Sequence, residues 1–452
     1  MLSRLRHGEN TAEDGSGADL SAASVSIREA DFNAPFPAGL EYAAPARGSW
    51  NIVHQGMLIP EAHQIFVCAE GCLRGVVLTA AEMGAGERFS MISIREENVL
   101  KGDMEDLITD GVSDILKKLK TLPPAVLIYT SCIHHFMGCD LPLVYKRLRE
   151  KFPTVSFTDC YMNPIMRKSG LTPDQIMRKQ LYSLLEPAAE KKENVVDLIG
   201  SSFPMEETGD MMRMLRNGGK TVRDLTLCRT YAEYRKMNEA SVCISVLPPA
   251  KAAGEELEKR LGMKHLYLPF CYGYDEIREN LGILSEKLRI PEEDRESGIA
   301  LAEKALLTAH RLIGDTPVAI DYTATPRPLG LARLLTEHGF FVSSVYADSF
   351  TGEEKEDFLW LQRNAPELVL HPTAEVSMRV MPRHTEKKLL AFGQKAAYFT
   401  GTRFFVNTVE AAGLYGYDGV RRTAEMMMEA YLHEKDTKTR IQVKGLGCGC
   451  CV

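Results

Sequence analysis

From Ile65 onward, short uninterrupted apolar runs alternate with longer segments whose apolar residues recur every three or four positions. That is the pattern of buried parallel strands joined by amphipathic helices. Gln64 to Val67 predicts a strand with a helical run after Gly71, and Met91 to Ile94 predicts another, followed by the amphipathic segment Met104 to Leu119. Ala125 to Tyr129 is apolar throughout and leads into Thr130-Ser131-Cys132; the helical run Leu141 to Glu150 and a strand at Val155 to Phe157 follow. A second unit opens at Asn194-Val195-Val196-Asp197-Leu198-Ile199-Gly200, with a helix at Met211 to Arg216 stopped by Asn217-Gly218-Gly219. A third opens at Pro317 to Ile320, continues through a helix at Leu329 to His338 closed by Gly339, and reaches a strand at Phe341 to Tyr346. These repeated starts predict an α/β protein of three Rossmann-like domains, with mainly parallel sheets flanked by helices and ligands gathered beyond the carboxyl ends of strands.

The length of 452 residues agrees, since a domain takes about 150 residues. The expected boundaries are a polar extension at 1–48, α/β domains at 49–193, 194–315 and 316–432, and a tail at 433–452 that ends Cys448-Gly449-Cys450-Cys451-Val452. A net charge of −7 without a basic stripe argues against nucleic acid as a partner. No apolar run approaches the roughly 18 to 20 residues of a membrane span, and the first residues lack the apolar core of a signal peptide. A cytoplasmic protein without membrane contact is expected. Eleven cysteines in a reducing compartment then point to metal or thiol chemistry rather than to a disulfide framework.

The cysteines have telling positions. Cys68-Ala69-Glu70-Gly71-Cys72 places two thiols directly after an apolar strand and at the start of a helical run, where unpaired N–H groups and the helix dipole lower a thiol pKa. Cys132 follows the strand Ala125 to Tyr129, and Cys160 follows the strand Val155 to Phe157. Four sulfurs at strand ends, Cys68, Cys72, Cys132 and Cys160, would satisfy an iron-sulfur cubane, and zinc would accept them as well. The plainer alternative is that each is a small buried hydrophobe. Cys228 and Cys271 have no partner at a telling spacing and read as structural.

Several segments together resemble the nitrogenase component 1 family, whose relatives include dark-operative protochlorophyllide reductase and the nickel-sirohydrochlorin diamide reductase. Gly71-Cys72 resembles the family's Gly-Cys motif, and Arg95 to Asp103 the acidic-to-glycine segment that follows it. Cys132, Gly138 and Asp140 are similar to its Cys-x5-Gly-x-Asp motif; Val196 to Gly200 and Tyr415-Gly416-Tyr417-Asp418-Gly419 resemble the opening of its second domain and a motif near the end of its third. The resemblance runs from about residue 50 to 432 and implies three Rossmann-like domains with a cluster, 4Fe-4S by expectation, at a subunit interface. Cys72 and Cys132 carry over directly. The family's first cysteine has no counterpart upstream of Cys68, so Cys68 is expected to replace it, with Cys139 and Cys160 in reserve.

The resemblance further implies electrons from an ATP-dependent partner like the nitrogenase iron protein, consistent with a chain that lacks a Gly-x4-Gly-Lys-Ser/Thr loop. A homo- or hetero-oligomer with a related chain is expected. The place of the histidine that holds the large catalytic cofactor of nitrogenases is taken by Val406, and Cys243 is out of register with that cofactor's cysteine, so no FeMo-type cofactor is expected. What remains is an oxidoreductase acting on an unidentified organic substrate, or alternatively a non-catalytic scaffold for cluster assembly. His134, His135 and Asp140 are candidate proton donors; Asp140 equally fits a helix cap.

Overall fold

The computed structural model describes residues 23–37, 39, 52–162, 170–379, 383 and 387–436. The first sheet is built from β2 (His63–Cys68), β3 (Phe89–Ser93), β4 (Ala125–Ser131) and β5 (Ser156–Met162); β1 (Val25–Ser26) precedes it in the chain and joins another sheet. Its order is β3-β2-β4-β5, all parallel. Every residue of β2 and β4 is buried, which explains why both read as continuous apolar runs rather than alternating ones.

The second sheet comprises β6 (Lys192–Ile199), β7 (Thr221–Asp224), β8 (Ala240–Ser245) and β9 (Lys264–Tyr267), in the order β7-β6-β8-β9 and again parallel. The third comprises β10 (Val318–Asp321), β11 (Val342–Tyr346), β12 (Val369–His371), β13 (Leu390–Phe392) and β14 (Phe404–Val406), with β1 completing its edge in the order β1-β12-β11-β10-β13-β14. Only β1 runs antiparallel among the described strands. Part of the segment expected as a polar extension is thus a sheet edge: Ile27 is fully buried, and its N–H donates to the Leu368 carbonyl at 2.9 Å.

Strand order reverses between β2 and β4, between β6 and β8, and between β10 and β13. Such switch points open a crevice at the carboxyl edge of a parallel sheet, because the helices on either side leave toward opposite faces. The first and second sheets share one apolar core that includes Phe66, Tyr129, Tyr182, Val195 and Cys243. A second core runs from Leu198 and Ile244 to Ile320 and Val345 in the third sheet.

Arg178, on the helix Pro173–Gln180, ties the three units together. It is 1% exposed, donates through Nε to Asp174 at 3.2 Å, and donates through its two terminal nitrogens to the Gly200 carbonyl after β6 and to the Glu410 carboxylate after β14.

Candidate metal centre and inter-domain cavity

Cys68 is the last residue of β2, and Cys132 opens the short helix Cys132–Phe136 that continues from β4. Since β2 and β4 flank the first switch point, both thiols stand at its crevice. Cys72 lies in the first turn of the helix Glu70–Glu82 that leaves β2. Cys68 is buried, whereas Cys72 and Cys132 are partly exposed. The three are electrostatic neighbours: burial and then the charges of Cys72 and Cys132 push the Cys68 thiol up to about 12, and burial and Cys132 raise the Cys72 thiol. This corrects the expectation of lowered pKa values. At Cys68 and Cys72 loss of hydration and repulsion between like groups outweigh the helix amino ends, so these two thiols are held protonated and binding of a metal there would release protons. Among the described residues no group of three His, Cys, Asp or Glu side chains converges to hold a single metal ion.

Cys160 does not sit at a strand end. The polar residues Thr158-Asp159-Cys160-Tyr161 continue β5 along the full length of β4, which places Cys160 inside the strand and opposite Tyr129. There it is fully buried, and burial, then Asp159, drives its thiol upward while the Tyr129 hydroxyl opposes them. The structure therefore does not bring it to the other three. Cys139 faces the neighbourhood of Glu105, with its thiol pushed up to about 12 by burial and by that carboxylate. Cys448, Cys450 and Cys451 lie outside the described residues.

His134 is 2% exposed and accepts the Ser131 N–H through Nδ1 at 3.1 Å, a local cap of its own helix. Burial lowers its pKa, which favours the neutral ring, and its Nε2 is buried without a hydrogen-bond partner. His135 is exposed and packs edge-on to Phe136 with ring centroids 6.2 Å apart. Asp140 accepts the Leu143 N–H at 3.0 Å and caps the helix Leu141–Lys151.

A second feature lies where the carboxyl ends of β8, β10 and β11 meet the amino end of the helix Pro173–Gln180. A cavity of ≈270 Å³ opens there, lined among others by Asp174, Pro248, Tyr322, Asp348, Glu354 and Glu410. None of these residues stood out in the sequence. The available signal was position: Asp348 and Glu410 are carboxylates a few residues past strand ends, where ligands collect.

Residues 55–432 match the family described as Nitrogenase component 1 type Oxidoreductase. The chain belongs to that family. Solved structures described as "Nitrogenase Cp1 at pH 6.5" and "Nitrogenase Cp1 at pH 5" share its fold, with TM-scores of 0.64 and 0.58 at 13% and 14% identity. The first alignment covers 96% of both chains, the second 92% of this chain and 96% of the other. No curated protein matches. Nitrogenase component 1 homologues bind metal clusters, form oligomers and work with an iron-protein partner. In this member, soft thiolate donors at a switch-point crevice suit such a cluster in chemistry and in access, since two of the three reach solvent. Val406 is buried at the end of β14, and Cys243 is buried within β8 opposite Asp197 and His265. No helix among the described residues is long and apolar enough to cross a membrane.

Proposed function

We propose that this chain is a nitrogenase-like reductase component that holds a 4Fe-4S cluster through Cys68, Cys72 and Cys132, with the remaining ligand supplied by a partner subunit. The observation that carries the proposal is the placement of these three thiols around one switch point, from β2, the helix after it and the end of β4. The cluster supplies one-electron transfer when bound; the polypeptide holds it at the carboxyl edge of the first sheet. Phe136, 68% exposed, ends the helix that begins at Cys132, and Met137, 43% exposed, caps it; an apolar surface beside the thiols suits a docked protein. Electrons arrive from an iron-protein-like ATPase, and an organic substrate is reduced, with the inter-domain cavity as its site.

The reductase is separated from a cluster-assembly scaffold by the fate of the cluster. Anaerobic protein carrying iron is put through repeated cycles of chemical reduction and oxidation beside an apo-ferredoxin acceptor. A reductase keeps its iron through the cycles; transfer of most of it to the acceptor selects the scaffold.

A further inference from the structure

A proton donor belongs where the substrate binds, and none of His134, His135 and Asp140 lines the inter-domain cavity. Its wall carries a different candidate, built by the loops at the third switch point. Tyr322 follows β10 directly, and its N–H continues the ladder to the Tyr346 carbonyl at 3.0 Å. Lys395 stands in the first turn of the helix Gln394–Thr400, after the neighbouring strand β13. Asp321, fully buried at the end of β10, holds the two loops together by accepting the Thr323 and Ala396 N–H groups, each at 2.8 Å. Gly393 permits this approach: its φ is 115°, and any side chain there would collide with the Asp321 carboxylate.

The result is a tyrosine–lysine pair. The Lys395 ammonium donates to the Tyr322 hydroxyl oxygen at 2.7 Å and lies 4.5 Å from that ring's centroid. A phenol has a single proton to donate, and an ammonium can only donate, so the Tyr322 O–H must turn to another acceptor. Among the described residues it has none, and Tyr322 lines the cavity. Lys395 also reaches Thr373 Oγ1 at 3.4 Å, and that hydroxyl donates to Asp348 at 2.7 Å. Asp348 is a partly exposed residue of the cavity wall, so a hydrogen-bonded path runs from the rim to the back of the phenol. Gln394 Oε1 and Thr408 Oγ1, after β13 and β14, are buried without a partner among the described residues; a ligand or a water at this switch point would satisfy them.

We propose that Tyr322 is the catalytic proton donor to a substrate in this cavity, with Lys395 as its positioning residue. The inference deepens the reductase reading and rests on it for the electrons, which come from the one-electron donor of that reading. The substrate class is an organic molecule with a polarised double bond whose oxygen or nitrogen accepts the phenol O–H. For each electron taken up by that bond Tyr322 gives one proton: its O–H bond breaks, a bond to hydrogen forms on the substrate, and the phenolate left behind is held by the Lys395 ammonium. Solvent returns the proton by way of Asp348, Thr373 and Lys395.

The test uses the full-length protein and N-acetylimidazole at pH 7.5, a small neutral acyl donor that turns a tyrosine oxygen into its acetyl ester as the phenol gives up its proton and imidazole leaves. Wild type, Lys395→Arg and Lys395→Met are compared, with circular dichroism to establish that each folds and free N-acetyltyrosinamide in every tube as the reference. The ester at Tyr322 is counted by mass spectrometry of its peptide before and after hydroxylamine, which removes it. Acetylation of Tyr322 at similar rates in wild type and Lys395→Arg, and about tenfold slower in Lys395→Met, is the expected result. Loss of a merely structural lysine would open the wall and speed the reaction instead. A rate unchanged or raised in Lys395→Met, or no ester at Tyr322 in wild type while the reference is consumed, overturns the proposal. Iron determined in the same preparations separates the two readings: a Lys395-dependent Tyr322 in an iron-free protein keeps the acid–base pair and removes the reductase, and an iron-loaded protein whose Tyr322 is indifferent to Lys395 does the reverse.

Discussion

Asp197 sits in the middle of β6, fully buried, with neither carboxylate oxygen hydrogen-bonded. Burial raises its pKa well above the ordinary value; Arg223 and Lys191 oppose the rise, while Asp224 and Glu239 add to it. A carboxyl with a folded pKa above its unfolded value of about 3.9 stabilises the fold fully only below that value, and its contribution is lost as pH rises through the folded pKa. Asp197→Asn keeps the shape without a titrating proton. In urea unfolding its stability relative to wild type should climb with pH above about 4, approaching 1.4 kcal/mol per pH unit while Asp197 stays protonated in the native state. A difference that is flat from pH 5 to 9 would contradict this. At the same scale, Cys68, Cys72 and Cys132 were legible because each adjoins an apolar run. Cys160 was misplaced because a strand can continue through polar residues when its neighbour supplies the ladder, as β4 does for Thr158 to Met162. The cavity carboxylates were not legible, since an acidic residue after a strand looks the same whether it faces solvent or a cleft.

The helix Leu141–Lys151 separates two roles for Asp140. A cap needs only an acceptor, so Asp140→Asn should leave stability within a few tenths of a kcal/mol, whereas Asp140→Ala should cost about 1 kcal/mol. Iron content should be the same in both. Loss of reductase turnover in Asp140→Asn at unchanged stability would instead make it a proton donor. Elements with strong periodicity were read closely: the expected Met104 to Leu119 is observed as Met104–Lys118, and the expected Phe341 to Tyr346 as Val342–Tyr346. Short strands such as β12, β13 and β14, of three residues each, carry too few positions to show a period, and their pairing in the third sheet holds them.

Across the whole molecule, repeated strand-and-helix starts made three mainly parallel α/β sheets legible, but not the antiparallel edge strand β1 or how the units are joined. Beside the two shared apolar cores, the joint includes one buried side chain and a strained segment. Glu410, Ala411 and Ala412 have φ of 51, 57 and 50°, and the N–H groups of the first two donate to Thr323 and Ala324 carbonyls at 2.8 Å. Such backbone persists only where its surroundings hold it, and Arg178 holds Glu410. Arg178→Met leaves Asp174 and Glu410 without their cation and should cost about 3 to 5 kcal/mol in urea unfolding, with part recovered in Arg178→Met/Glu410→Gln. A loss under about 1 kcal/mol in the single variant would show that packing alone joins the domains.

The central claim concerns the thiols at the first switch point, and iron and acid-labile sulfide content tests it most directly. The measurement is made with visible and electron paramagnetic resonance spectra on anaerobically purified and reconstituted protein and its Cys72→Ala, Cys132→Ala and Cys160→Ala variants. A reducible cluster in wild type and in Cys160→Ala, absent from Cys72→Ala and Cys132→Ala, is the predicted result. An iron-free wild type after reconstitution, or a cluster unchanged in Cys72→Ala and Cys132→Ala, would contradict it.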